Sequence, residues 1–208
     1  MHFLTSALEF PPTTAANNHG LLAIGGDLSP ERLQLAYQSG IFPWFNPDEP
    51  ILWWSPAQRA VIFRDEIKVS KSMRNVFNRQ MFTITYNRAF EAVIENCAAI
   101  PREGQVDTWI TPEMKHAYMH LHELGVALSV EVWQDNNLVG GLYAIVQKRV
   151  FCGESMFSKV SNASKAALIQ LISDFSQFEL IDCQIMNPHL ESLGARLIPR
   201  KEFETFLR

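Results

Sequence analysis

The chain has 208 residues, 47% of them hydrophobic and 19% charged, with a formal net charge of −4. That is enough apolar material for a real core and too little charge for a disordered chain, so one large domain, or a small lobe on a larger one, is expected. The N-terminus has no basic region followed by an apolar run, and no stretch approaches the roughly 18 apolar residues that span a bilayer; a soluble, cytoplasmic protein is expected, with no membrane contact.

In chain order, Pro11-Pro12 and the polar run Thr13 to His19 form a loop, and Gly25-Gly26-Asp27 a turn. That turn lacks the Lys-Ser/Thr of a phosphate loop and the third glycine of a dinucleotide site. Ser29, Pro30 and Glu31 read as N-cap, first position and first turn of a helix that stops at Gly40. Prolines and aromatics from Ile41 to Pro56 forbid a long regular element. Residues 1–60 therefore read as a small aromatic-rich N-terminal lobe.

Residues 61–208 read as strand, helix, strand, two helices, a three-strand meander, then helix, strand and helix, with a short strand and a helix to finish. The strands are Ala60–Phe63, Phe82–Tyr86, Val126–Trp133, Leu138–Val146, Val150–Phe157 and Leu180–Ile185, and a loop is expected at Pro101–Asp107. A helix is expected from Ser161 or Asn162 to about Phe178. Gly140-Gly141 suggests a bulge or a close backbone approach. This is α+β, compatible with an N-acetyltransferase-like domain.

Charge is segregated. Arg64, Lys68, Lys71, Arg74, Arg79 and Arg88 face only Asp65 and Glu66, whereas Met1 to Pro56 holds one basic residue against five acidic ones. The basic run is either a solvated face or a phosphate-contacting patch. Cys97, Cys152 and Cys183 are odd in number and widely spaced, which fits buried thiols better than a disulfide framework. His116, His120 and His122 lack a metal-binding pattern and read as surface or half-buried residues; no metal is expected.

Two carboxylates stand out because each lies in an apolar strand, where an unpaired charge is costly. Alternation puts Cys152, Glu154 and Met156 on one face of their strand and Phe151, Gly153, Ser155 and Phe157 on the other. On the later strand Asp182 and Gln184 share a face, roughly 6.5–7 Å apart. Glu154, Asp182 and Gln184 are thus expected to converge, as structural hydrogen bonds or as a site for an amine-bearing substrate.

The motifs Gly20-Leu21-Leu22-Ala23-Ile24-Gly25-Gly26-Asp27-Leu28-Ser29-Pro30, Gly40-Ile41-Phe42-Pro43-Trp44-Phe45 and Trp53-Trp54-Ser55-Pro56 occur in that order. Thr108-Trp109-Ile110-Thr111, Ser129-Val130-Glu131-Val132-Trp133 and Val139-Gly140-Gly141-Leu142-Tyr143 follow. Last come Gly153-Glu154-Ser155-Met156-Phe157-Ser158 with Asn162-Ala163-Ser164-Lys165, and Leu180-Ile181-Asp182-Cys183-Gln184. From about Gly20 to Phe203 the chain resembles the leucyl/phenylalanyl-tRNA–protein transferases.

The resemblance implies transfer of Leu or Phe, and also Met, from leucyl-, phenylalanyl- or methionyl-tRNA to proteins with N-terminal Arg or Lys. Such transfer marks them for degradation by the N-end rule pathway. No cofactor is implied, and a monomer is expected. Carried onto matching positions, the resemblance implies a side-chain pocket lined by Leu142, Phe151, Gly153, Leu168, Leu171, Phe175 and Ile181. Glu154 would contact the aminoacyl α-amino group, Trp44 and Trp109 would stack on the terminal adenosine, and Asp182 and Gln184 would sit at the reaction centre. There, Gln184 would orient the amine or donate to the oxyanion, and Asp182 would hold the acceptor's cation and tune Gln184. Lys68, Lys71 and Arg74 would contact tRNA phosphates. Leu128 stands where the family commonly has His and Ala144 where it commonly has Gly, and Leu171 is smaller than the Phe of some members; all three bear on pocket size.

Two other functions fit parts of the chain. An acyl-CoA N-acyltransferase would share the architecture, but the connection Ser158–Ala163 lacks the glycines of a pyrophosphate turn. A non-catalytic RNA-binding module would use the basic run and the aromatics but leave Glu154, Asp182 and Gln184 without a role.

Overall fold

A computed structural model describes residues 2–100 and 108–208; the loop expected at Pro101–Asp107 lies outside the described residues. The first lobe is built on a four-stranded sheet of β1 (His2–Leu4), β2 (Leu21–Gly25), β3 (Phe42–Pro43) and β4 (Leu52–Trp54), in the order β1-β2-β4-β3. These strands are two to five residues long, too short to show a period of two, so the sequence did not display them. Helix α1 (Pro30–Gln38) starts as expected, with the Ser29 side chain accepting from the Arg32 N–H.

The larger sheet has seven strands: β5 (Gln58–Phe63), β6 (Thr83–Tyr86), β7 (Ala127–Gln134), β8 (Asn137–Gln147), β9 (Val150–Ser158), β10 (Leu180–Gln184) and β11 (Arg196–Pro199). Their order is β11-β5-β10-β9-β8-β7-β6. Every neighbouring pair is antiparallel except β9 and β10, which run parallel. The helices are α2 (Lys71–Asn78), α3 (Phe90–Ala99), α4 (Pro112–Glu123), α5 (Ala163–Asp174), α6 (Pro188–Ser192) and α7 (Arg200–Phe206). This is the α+β class expected from the sequence.

One face of the large sheet is covered by α3, α4 and the N-terminal lobe, which share one continuous core that includes Leu33, Trp53, Val93, Tyr118, Cys152 and Phe157. The other face is covered by α5, whose Ala167, Leu168 and Leu171 pack on Leu142, Ala144 and Phe151. The sheet is therefore buried on both sides. The alternation of apolar and polar residues along Val126–Trp133 predicts a half-buried strand, but both faces of β7 are covered: Ser129 and Glu131 are as buried as Val130 and Val132. Glu131 is a further carboxylate, fully buried, in an apolar strand. It accepts from Thr85 Oγ1 at 2.6 Å and Ser129 Oγ at 2.5 Å, and from the N–H groups of Arg88 and Ala89 at 3.3 Å. Those last two donors precede α3, whose N-cap Ala89 offers no side-chain cap, so Glu131 caps the helix from the neighbouring strand.

Helix α5 ends at Asp174, four residues before the expected Phe178. Its start explains Gly140: a Cβ there would lie 2.5 Å from the Cβ of Ala163, so glycine lets the helix meet the strand.

Candidate active site

Two local irregularities make the site. Pairing of β9 with β10 ends at Cys152–Asp182, after which the parallel strands separate. Just past that point each strand carries a bulge. On β9, Ser155 pairs with Tyr143 and Gly153 with Ala144, leaving Glu154 as the extra residue. On β10, Asp182 pairs with Val61 and Gln184 with Ala60, leaving Cys183 as the extra one.

A bulge re-aims the side chains beyond it, so the alternation expected along β9 fails in its second half. Cys152 and Glu154 do share a face. Met156 has moved to the α5 side, and Phe157 joins Cys152 in the opposite core. On β10 the bulge puts Gln184 in the left-handed region, at φ 60°. Its backbone N–H donates to Asp182 Oδ1 at 2.9 Å, and its side-chain Nε2 donates to Glu154 Oε1 at 3.1 Å.

A cavity of about 390 Å³ opens where the strands part, within the ~300–1,000 Å³ usual for small-molecule sites. Its apolar end lies between the sheet and α5 and includes Leu142, Phe151, Gly153, Leu168, Leu171 and Ile181. Ala144 lines it too, whereas Leu128 is buried in the same core and does not reach it. Phe42, Pro43, Trp44 and Trp109 line the cavity from the other side; Trp44 is 36% exposed and Trp109 buried. Phe175, expected in the wall, is one layer behind, edge-on to Phe151 and against Phe178.

Glu154 sits half-buried in the cavity wall. Its Oε2 accepts from the Tyr118 hydroxyl at 2.8 Å, and Tyr118 in turn makes a very short hydrogen bond with Tyr37 of α1. Since Tyr118 gives its proton to Glu154, Tyr37 must be the donor in that second bond. Burial pushes the Glu154 carboxyl up to about 7, against the opposing pull of the tyrosine and Gln184 hydrogen bonds. Burial, reinforced by the negative charge of Glu154, holds both phenols well above their usual range. The carboxyl is thus close to half-ionised at neutral pH, and the tyrosines stay protonated donors.

Asp182 does not join this group. It is fully buried, does not line the cavity, and receives Arg59 Nε on Oδ1 and Nη2 on Oδ2, both at 2.7 Å. The expected convergence holds for Glu154 and Gln184, whereas Asp182 points into the protein beneath them. Its partner Arg59, on β5, carried no signal in the sequence beyond being a lone charge at the start of an apolar strand.

Burial also pushes the thiols of Cys152 and Cys183 up, so both remain protonated and inert. His116 and His120 are exposed, and His122 stacks on Phe90. Among the described residues no group of three or more His, Cys, Asp or Glu could hold a metal, and no helix is long and apolar enough to cross a membrane. Lys68, Lys71 and Arg74 are exposed, and among the described residues none of them pairs with a carboxylate. Lys68 precedes α2 and Lys71 and Arg74 lie in its first half; α2 packs on the outer side of α5, and none of the three lines the cavity. Lys68 touches the end of α6, where its N–H donates to the Leu193 carbonyl, and His189 and Leu190 of α6 reach the cavity.

Residues 61–208 match the family model described as leucyl/phenylalanyl-tRNA protein transferase, and residues 26–57 match the N-terminal domain model of the same family. Proteins named leucyl/phenylalanyl-tRNA–protein transferase from Flavobacterium psychrophilum and Flavobacterium johnsoniae are 60% and 59% identical. The alignments cover all of this chain and 100% and 99% of those proteins. One from Klebsiella pneumoniae is 51% identical over 97% of this chain and 87% of its own length. Likeness to solved structures is looser. The C-terminal domain of a putative lysylphosphatidylglycerol synthetase from Agrobacterium fabrum aligns with TM-score 0.48 and 9% identity over 85% of this chain and 65% of that one. A GCN5-related N-acetyltransferase from Kribbella flavida aligns at 0.38 and 10%, over 82% and 61%. With family models spanning both parts of the chain and relatives matching it end to end, this protein belongs to the leucyl/phenylalanyl-tRNA–protein transferase family.

Proposed function

We propose that this aminoacyltransferase moves Leu, Phe and Met from their tRNAs to proteins that begin with Arg or Lys. It acts as a monomer in the cytoplasm and marks its acceptors for degradation by the N-end rule pathway. The observation that carries the reading is a cavity with an apolar end, an aromatic mouth and the Glu154–Gln184 pair between them.

The chemistry is aminolysis of an ester. The acceptor's α-amine, with an ordinary pKa near 8, attacks the ester carbonyl. A C–N bond forms, the C–O bond to the ribose breaks, and the amine's proton ends on the ribose oxygen. No covalent enzyme intermediate is needed, because the ester is already activated; what the protein supplies is orientation. The apolar end takes the Leu or Phe side chain, and Trp44 and Trp109 stack on the terminal adenosine. Each Glu154 oxygen accepts one hydrogen bond, leaving lone pairs toward the cavity for the donor's α-ammonium. Because Gln184 donates through Nε2, its Oε1 is left to accept from the attacking amine. Asp182, with both oxygens on Arg59, shapes Gln184 from behind and does not hold the acceptor's cation.

Radiolabelled Leu, Phe, Met and Ile presented on tRNA to peptides starting with Arg, Lys or Ala test this directly. Label should pass from Leu, Phe and Met to the Arg and Lys peptides, with Ile poor because its branch at Cβ, absent from the other three, presents a stiffer and differently shaped side chain to an apolar pocket. Equal transfer to the Ala peptide, or none from any tRNA, would refute the reading.

A further inference from the structure

Arg59 is a buried charge with an unusual number of attachments. The guanidinium forks onto both oxygens of Asp182 at 2.7 Å. Its Nη1 donates to the Gly40 carbonyl at 3.2 Å. The rings of Phe42 and Phe203 flank it, each with its centroid 4.7 Å away. A charge so deep is costly unless fully partnered, and here the partners come from three parts of the chain, two of which continue into the cavity.

Two of them bear directly on its walls. Asp182 Oδ1 also accepts the Gln184 N–H, which helps hold the left-handed turn that aims Gln184 at Glu154. Gly40 and Phe42 belong to the segment that leaves α1 and carries Phe42, Pro43 and Trp44 into the opposite wall. We infer that Arg59 is a positioning residue of the transfer site, one guanidinium setting Gln184 through Asp182 and the Trp44 segment through Gly40 and Phe42. The inference rests on the proposed reading, in which Gln184 faces the attacking amine and Trp44 the terminal adenosine. The spacing of those two walls then sets how far the amine stands from the ester carbon, and a misplacement of about 1 Å costs up to about a hundredfold in rate.

Two variants test it. The double replacement Arg59→Met with Asp182→Leu removes both charges and puts apolar side chains in their place, an exchange that is often neutral or stabilising for a buried pair. Arg59→Lys keeps the charge, but one ammonium cannot fork Asp182 and also reach Gly40. The measurements are single-turnover transfer from bound leucyl-tRNA to an Arg-starting peptide, the peptide's KM, and thermal melting. Expected are cooperative melting, a single-turnover rate lower by about thirtyfold or more in the double variant and about tenfold in the Lys variant, and a peptide KM within about threefold of the parent. Should the double variant not fold, the Lys variant decides. Folded variants that transfer within threefold of an active parent overturn the inference, as does a chain that folds with neither replacement, which makes Arg59 a folding residue. A parent that transfers nothing fails one step earlier, at the proposed function, and the inference falls with it.

Discussion

Replacing Glu154 by Gln should stabilise the protein at alkaline pH while impairing its chemistry. The carboxyl titrates near 4.5 when unfolded and near 7 in the fold. Below the lower value both states are protonated and nothing is lost. Between the two, the fold holds a proton that the unfolded chain has released, so stability falls as pH rises. Above the upper value the full penalty applies, roughly 3 kcal/mol for a shift of that size. The site opens on a cavity, where water recovers part of this, so about 1–2 kcal/mol is expected. For a chain of this length that is about 3–6 °C in melting temperature. Gln keeps the shape and still accepts from Tyr118, and Gln184 can turn its amide to accept in place of donating. The assay is thermal melting of parent and E154Q from pH 5 to 8.5, with donor Kd alongside. The Tm difference should be small at pH 5, about a quarter of its full size, and grow in favour of the variant through pH 7, while donor affinity drops. A difference that stays flat with pH, or grows in the parent's favour, refutes the buried-carboxylate argument.

Tyr118→Phe removes a donor that favours the charged form of Glu154, so the acidic limb of donor binding should move to higher pH; an unmoved limb would dissociate Tyr118 from Glu154. Replacing Lys68, Lys71 and Arg74 together by Ala should weaken tRNA binding and flatten its log–log salt dependence by about 2–3 units, since each phosphate contact contributes roughly 0.7–0.9; an unchanged slope would make the run a solvated face. Gly140→Ala should lower the denaturant midpoint by about 1–3 kcal/mol equivalent without changing the slope, because its Cβ would press on Ala163. A midpoint equal to the parent's would mean that α5 can shift freely.

Much of the fold could be read from the sequence because its signals are local. The caps at Ser29, Thr111 and Asn187 each accept from a backbone N–H of the first helical turn, and the helix and strand periods of the larger part stand out against its loops. What could not be read is what depends on partners distant in the chain. The N-terminal strands pair without a pattern of their own. The burial of Glu131 follows from having helices on both sheet faces, and its role as a cap depends on a helix some forty residues away. The site was half legible. A carboxylate in an apolar strand advertises itself, so Glu154 and Asp182 both drew attention. Strict alternation, however, has no means of placing a bulge, and it is the bulges on β9 and β10 that bring Glu154 and Gln184 together.

The two carboxylates also show why strand position alone does not assign chemistry. Cys152 and Asp182 are register partners, and Glu154 is two residues further along the same strand, so a sequence reading treats the two acids alike. Their surroundings do not. Asp182 meets a guanidinium that cannot lose its proton, and with both oxygens engaged it is a fixed element of the framework. Glu154 hydrogen-bonds only neutral donors, two phenols in series and an amide, so no cation is paired with it directly and burial carries its carboxyl up to about 7. A cation arriving in the cavity supplies what is missing, drawing the proton off and pairing with the carboxylate. In the proposed function the donor's α-ammonium is such a cation. On the proposed reading, the acid left without a cation by the protein is the one that selects a charged ligand, and the acid already paired is the one that holds the walls in place while it does so.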